Sequence, residues 1–293
     1  MELLLANQWY LFYIMAVMIV AGYVKDTGLF IPAYSWLINN IKSKRAVITL
    51  ISMISGVLPI PGRVTVSAGF LDTIAPKNKG RKKYGIIDYL STHHYYWWSP
   101  LEKTVILPMA VLGLSYTGFL SIVWPIILAY AAVLIYYIFF YLNEDDVDVK
   151  LVKPCCDSEK VGWKNWIDWK VIAWVAVVIV AGNYLKSYSG DMTAYLEGIG
   201  SVVIALGASF IFSFALGSSG KYAGFVALLT SVFGIQYLPL FLVIDYAGYM
   251  LSPVHKCFVV GKTYFNTPLR DYYYAIGILL VALITTSFGV FLI

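Results

Sequence analysis

Charge is scarce in these 293 residues: 13% are Asp, Glu, Lys or Arg, 21 basic against 16 acidic, where a soluble domain carries about 25%. Sixty per cent of the residues are apolar and the mean hydropathy is +0.75. An ordinary water-soluble domain is therefore excluded, and a polytopic membrane protein is expected. Cysteine is limited to Cys155, Cys156 and Cys257. An odd set with two adjacent members makes no paired disulfide framework, so the thiols are expected to be reduced, and the adjacent pair is too small for a zinc site. The basic excess does not point to nucleic acid. It concentrates in Lys42, Lys44 and Arg45 and in the run from Lys77 to Lys83, beside apolar segments, where it marks cytoplasmic topology. The first apolar run lacks a basic leader and a small-residue cleavage pattern, so no cleavable signal is expected.

What the chain has is apolar sequence punctuated at chosen places. Ser55 to Arg63 reads SGVLPIPGR. A helix arriving from Val47 must stop at Pro59 and Pro61, and Gly62 lets the chain reverse. Each arm is about a dozen residues, too short to cross a hydrocarbon core of roughly 30 Å. A re-entrant hairpin follows, its tip a candidate site because bare backbone at membrane depth must line a cavity. A second tip, Gly217-Ser218-Ser219-Gly220-Lys221, stands between apolar arms in the other half.

Taken in order, the chain offers a crossing at Tyr10 to Val24, an interfacial helix at Leu29 to Ile41 broken by Pro32, and a hairpin at 46–75. A crossing broken at Ser99-Pro100 and a clean span at Ser121 to Tyr141 complete the first repeat, 1–142. After a cytoplasmic linker at 143–169, the second repeat, 170–293, brings a crossing at Val171 to Leu185 and a hairpin at 198–234. A crossing broken at Ser252-Pro253 and a last span at Tyr274 to Ile293 follow. Aromatic clusters at Tyr95 to Trp98, Trp163 to Trp169 and Tyr272 to Tyr274 read as membrane-interface belts.

The halves echo one another. Ile19-Val20-Ala21-Gly22 recurs as Ile179-Val180-Ala181-Gly182, Gly62-Arg63 as Gly220-Lys221, Asp88-Tyr89 as Asp245-Tyr246, and Ser99-Pro100 as Ser252-Pro253, each about 153 to 160 residues on. Three crossings per half is odd, which inverts the second copy. The expected fold is all-α, a multi-pass protein of the plasma or inner membrane. It has two inverted repeats, about six transmembrane helices, two re-entrant hairpins and two broken helices, with the amino terminus outside.

The runs GVLPIPG from Gly56, YYWWSP from Tyr95 and GYMLSPVHKCFVVGKTYF from Gly248 resemble an uncharacterised archaeal and bacterial integral membrane family. That family is grouped with the ion transporter superfamily, the relatives of gluconate, citrate and dicarboxylate carriers. The resemblance implies a secondary transporter whose hairpins and broken helices form a mobile, elevator-type domain.

Arg63 and Lys221 are the sharpest candidates. A cation at membrane depth is costly and faces a cavity or a partner, and beside half-helix ends it would bind an anionic solute. The alternative is pairing with a carboxylate such as Asp72 or Asp245. Pro61, Gly62, Thr65, Gly217, Ser218, Ser219 and Gly220 would complete the tips. Ser99, Pro100, Ser252 and Pro253 would free carbonyls for an ion or solute, or would be plain kinks. His255 with Asp245, and Lys256 beside them, are the proton-coupling candidates. No bound cofactor or resident metal is expected, only a coupling H+ or Na+. A small anionic solute, the lipid bilayer and a second copy in a homodimer are the expected partners. The rivals are a membrane-embedded enzyme using Asp88, His93 and His94 on a lipid-linked substrate, and an ion channel.

Overall fold

The computed structural model describes residues 8–57, 63–74, 80–143, 162–163, 166–167, 169–187, 199–217 and 223–291, and among these every regular element is helical. The first half holds α1 (Gln8–Thr27), α2 (Phe30–Asn40), α3 (Lys44–Val57), α4 (Arg63–Ile74), α5 (Arg81–Thr92), a 3-10 turn (His94–Trp97), α6 (Lys103–Leu112) and α7 (Tyr116–Tyr136). The second holds α8 (Trp169–Ser187), α9 (Ile199–Leu216), α10 (Ala223–Phe233), α11 (Leu238–Leu251), α12 (Lys256–Phe265) and α13 (Leu269–Phe291). Most of the linker expected at 143–169 lies outside the described residues.

The centre belongs to α5 and α11. Every residue from Tyr84 to Thr92 is buried, as are Leu238 to Val243 and Asp245 to Gly248. Helices covered on all sides are core elements. The Tyr89 hydroxyl donates to the Met250 carbonyl at 3.1 Å and joins them. Around this pair one packing appears in each half: α3 lies on α5, and α9 lies on α11. Across the halves α4 meets α12 and α10 meets α6. A smaller apolar cluster gathers Ile14 of α1, Leu107 of α6, Val175 and Ile179 of α8 and Ala227 of α10.

Glycine permits the two tight packings. A Cβ on Gly56 of α3 would lie 2.5 Å from the Thr92 carbonyl oxygen at the end of α5, and one on Gly248 of α11 would strike the Phe210 carbonyl of α9. In each half, then, helix backbone rests on helix backbone, which only a missing side chain allows.

Among the described residues two helices are long and apolar enough to cross a membrane, Tyr116–Tyr141 and Leu269–Val290, and the pair Ile235–Leu251 and Lys256–Phe265, bent by 46°, makes a third if it is one span. The outward side of α7 carries Trp124, Leu128 and Ile135, each more than half exposed, and that of α13 carries Val281 and Phe288. Large apolar groups facing outward in this number call for an apolar surrounding or a partner surface. Ser115 caps α7 by accepting from the Gly118 amide at 3.0 Å, which starts the helix five residues ahead of the expected Ser121.

Three expectations need correction. Pro32 does not break α2, because it falls in the first turn, where its missing N–H has no intrahelical role, and Phe30, Tyr34 and Leu37 bury one face behind it. Tyr95, Tyr96 and Trp97 are not an interface belt but are buried to 3% exposure or less, their rings filling the volume that a broken helix leaves. The last helix begins at Leu269 rather than Tyr274, so Tyr272 turns inward and is buried while Tyr274 is exposed.

Candidate functional site

The two proline breaks border the core, with Ser99, Ser252 and His255 buried. α5 ends at Thr92, the 3-10 turn follows, and α6 resumes at Lys103 beyond Ser99-Pro100. α11 ends at Leu251 and α12 resumes at Lys256 beyond Ser252-Pro253. A break frees carbonyls, and a buried carbonyl needs a donor. The first break obtains them from neighbouring helices: Thr104 Oγ1 donates to Tyr96 O at 2.7 Å, the Tyr116 hydroxyl to Trp98 O at 2.7 Å, and the Tyr13 hydroxyl to Pro100 O at 2.6 Å. At the second, Tyr249 O accepts from His255 Nδ1 at 2.9 Å. These carbonyls are committed to side-chain donors, so the plain-kink reading fits Ser99-Pro100 better than a ring of free oxygens. Ser252 Oγ is buried without a partner among the described residues, while Pro253 and Lys256 face outward.

Each break has a buried carboxylate on the helix before it. Asp88 accepts from Ser52 Oγ of α3 at 2.8 Å and from Ser67 Oγ of α4. Asp245 accepts from the Tyr96 hydroxyl at 2.5 Å and from Ser213 Oγ of α9. Each is 2% exposed or less. Hydroxyl donors lower the penalty of burying a carboxyl without supplying a counter-charge. Of the two proton-coupling candidates, Asp245 is bonded to Tyr96 and Ser213 and His255 to the Tyr249 carbonyl.

Arg63 opens α4. Its guanidinium is ion-paired to Glu102 at 3.0 Å, donates to the Tyr95 hydroxyl and lies 3.6 Å over the Tyr95 ring centroid. Its carboxylate partner is thus neither Asp72 nor Asp245. Asp72 binds Arg81, which also donates to the Tyr264 carbonyl and ties the foot of α4 to α12. Thr65 faces outward, while Ser67, two residues on, carries the contact to Asp88. Gly217, at φ +54°, closes on the second break, where a Cβ would meet Val254 Cγ2 at 2.8 Å and Ser252 Oγ at 3.0 Å. Pro61, Gly62, Ser218, Ser219, Gly220 and Lys221 lie outside the described residues.

The structure also assembles a group that sequence reasoning left in pieces. His93, His255 and Cys257 present one ligand atom each within 4.8 Å of one another, all buried. His93 Nε2 is 3.6 Å from Cys257 Sγ, and the imidazole centroids are 5.2 Å apart. His93 and His94 are core residues rather than interfacial ones, and Asp88 is held by serines rather than by either histidine. The signal that could have found this trio is His255-Lys256-Cys257 directly after one break with His93 just before the other. No family model, curated protein or solved structure matches the chain.

Proposed function

We propose that the chain is a secondary active transporter moving a small anionic solute by alternating access, with H+ or Na+ as the driving ion. The observation that carries this reading is the repeated packing of α3 on α5 and α9 on α11, each enclosing a buried carboxylate with a hairpin serine on it. Two short apolar helices, a broken helix and an intramembrane acid are the parts of an inverted-repeat carrier, and acids at membrane depth are functional candidates by default. The resemblance to the ion transporter superfamily points the same way. In this reading α1, the α5–α6 pair and α7 cross in alternating directions, and α8, the α11–α12 pair and α13 each cross opposite to their counterpart in the first half. The amino terminus is then outside, the linker is cytoplasmic in the plasma or inner membrane, and a second copy completes the scaffold. Asp88 and Asp245 carry the coupling ion. The solute takes the place of Glu102 on Arg63.

The test is uptake into liposomes under an imposed proton or sodium gradient, with labelled dicarboxylate, sugar acid and phosphate as probes. Saturable, gradient-driven uptake of one of them, lost in Asp245→Asn, is expected. Non-saturating flux, or uptake indifferent to both gradients, would contradict the reading. A second reading, a membrane-embedded enzyme, draws on the meeting of His93, His255 and Cys257. Chemical conversion of a lipid-linked substrate in detergent, with no gradient present, would favour it.

A further inference from the structure

The His93, His255 and Cys257 group has the construction of a ligand set. His93 Nδ1 lies 2.6 Å from Tyr89 O and His255 Nδ1 lies 2.9 Å from Tyr249 O. A carbonyl only accepts, so each Nδ1 carries the hydrogen and each Nε2 presents a lone pair. Backbone carbonyls holding Nδ1–H are the usual outer support of a metal-binding imidazole. His93 Nε2 lies 3.6 Å from Cys257 Sγ, and His255 brings a ring nitrogen within 4.8 Å of both.

One thiol hydrogen can serve one nitrogen. His93 Nε2 is the nitrogen placed for it, at 3.6 Å, and His255 Nε2 stays buried with no partner among the described residues. An orphaned buried acceptor loses its hydration without compensation. A single cation between the three atoms satisfies all of them. Bond lengths of about 2.0 Å to nitrogen and 2.3 Å to sulfur put the two donors about 3.6 Å apart in a tetrahedral or trigonal site, the separation that His93 and Cys257 already have.

The donor set selects the ion. Two imidazoles and a thiolate exclude Na+, Mg2+ and Ca2+, which take oxygen, and favour thiophilic d10 ions. The walls are aromatic: Tyr89 lies 4.8 Å from the His93 ring, and Tyr249 and Phe258 lie 4.2 and 5.5 Å from the His255 ring. The nearby Arg63 charge is matched by Glu102. In so apolar a site the thiolate and Cu+ sum to zero, whereas Zn2+ leaves one positive charge to be hydrated or paired.

We propose that His93, His255 and Cys257 bind one thiophilic d10 metal ion, Cu+ more tightly than Zn2+, and so clasp the two helix breaks together. The site does not rest on the transport reading. Binding replaces the thiol hydrogen by the metal and releases it as a proton.

The test uses the full chain in detergent with Cys155→Ser and Cys156→Ser, so that the adjacent thiols do not compete. It is stripped of metal and titrated with Cu+ without oxygen against a chromophoric chelator, and separately with Zn2+. One equivalent per chain, a raised melting temperature, and a loss of about 100-fold or more in affinity in His255→Gln and Cys257→Ser are expected. Absorption at the metal edge of the parent protein should show one sulfur and two nitrogen neighbours, a reading that holds even if a variant fails to fold. The site is overturned if neither ion binds at one equivalent, if the variants bind as the parent does, or if no sulfur appears in the metal's first shell.

Discussion

The two halves share a packing but differ in what closes each break. In the first half the break is clasped by charge, Arg63 of α4 on Glu102 and Tyr95. In the second it is closed by shape, Gly217 lying against Ser252 and Val254. The carboxylates differ in the same way. Asp88 is served by Ser52 of α3 and Ser67 of α4, whereas Asp245 is served by Ser213 of its own half and by Tyr96 of the other. One acid is thus internal to its half and the other spans both. A carrier whose halves move against each other would break the Asp245–Tyr96 bond and leave the Asp88 group intact.

Several substitutions break or sharpen that contrast, with thermal unfolding in detergent as the stability readout. The largest effect belongs to Gly56→Ala and Gly248→Ala, which push a methyl group into backbone on both sides of the comparison. Each should cost about 1–3 kcal/mol, and near-equal losses are expected because the same approach is blocked twice. Next comes Glu102→Gln, which strips Arg63 of its counter-charge at about 20% exposure and should cost about 1–2 kcal/mol. The same change should raise the affinity for an anionic solute at Arg63, read by uptake competition.

Smaller again, Ser67→Ala and Tyr96→Phe each remove one donor from a buried carboxylate, for about 1 kcal/mol. The two should part in transport: Tyr96→Phe alters the rate of exchange, because its bond joins the halves, while Ser67→Ala alters the affinity for the coupling ion. The smallest effect is that of Tyr116→Phe, which leaves Trp98 O short of a donor and should cost about 0.5–1 kcal/mol. At the second break it is the Tyr249 carbonyl that takes a side-chain donor, His255 Nδ1.

Proline and glycine made much of this fold legible. Ser252-Pro253 does stop a helix, since α11 ends at Leu251, because a missing N–H acts locally and needs no tertiary information, whereas α5 already ends at Thr92, seven residues ahead of Ser99. The aromatic run from Tyr95 to Trp97 was misread because ring-rich segments in an apolar chain fit an interface as well as a crowded core, and only the break beside it decides between them. Arg63 was recognisable as a cation in need of company, but Glu102 as its partner depends on how α4 lies against the first break. The trio of His93, His255 and Cys257 was the least visible, since its thiol and its first imidazole are 164 positions apart. Contacts at such separation follow from tertiary packing, which a single sequence does not encode in any local pattern.

Opposite orientation of the two halves is the claim on which transport by inverted repeats depends, and impermeant maleimide labelling of single cysteines tests it most directly. With Cys155 and Cys156 replaced by serine and the buried Cys257 retained, Lys82→Cys and Gln236→Cys place one exposed thiol after α4 and one after α10. Inverted repeats predict that Gln236→Cys is labelled in intact cells and Lys82→Cys only after permeabilisation. Labelling of both from the same side would contradict the inversion, and alternating access between two equivalent halves with it.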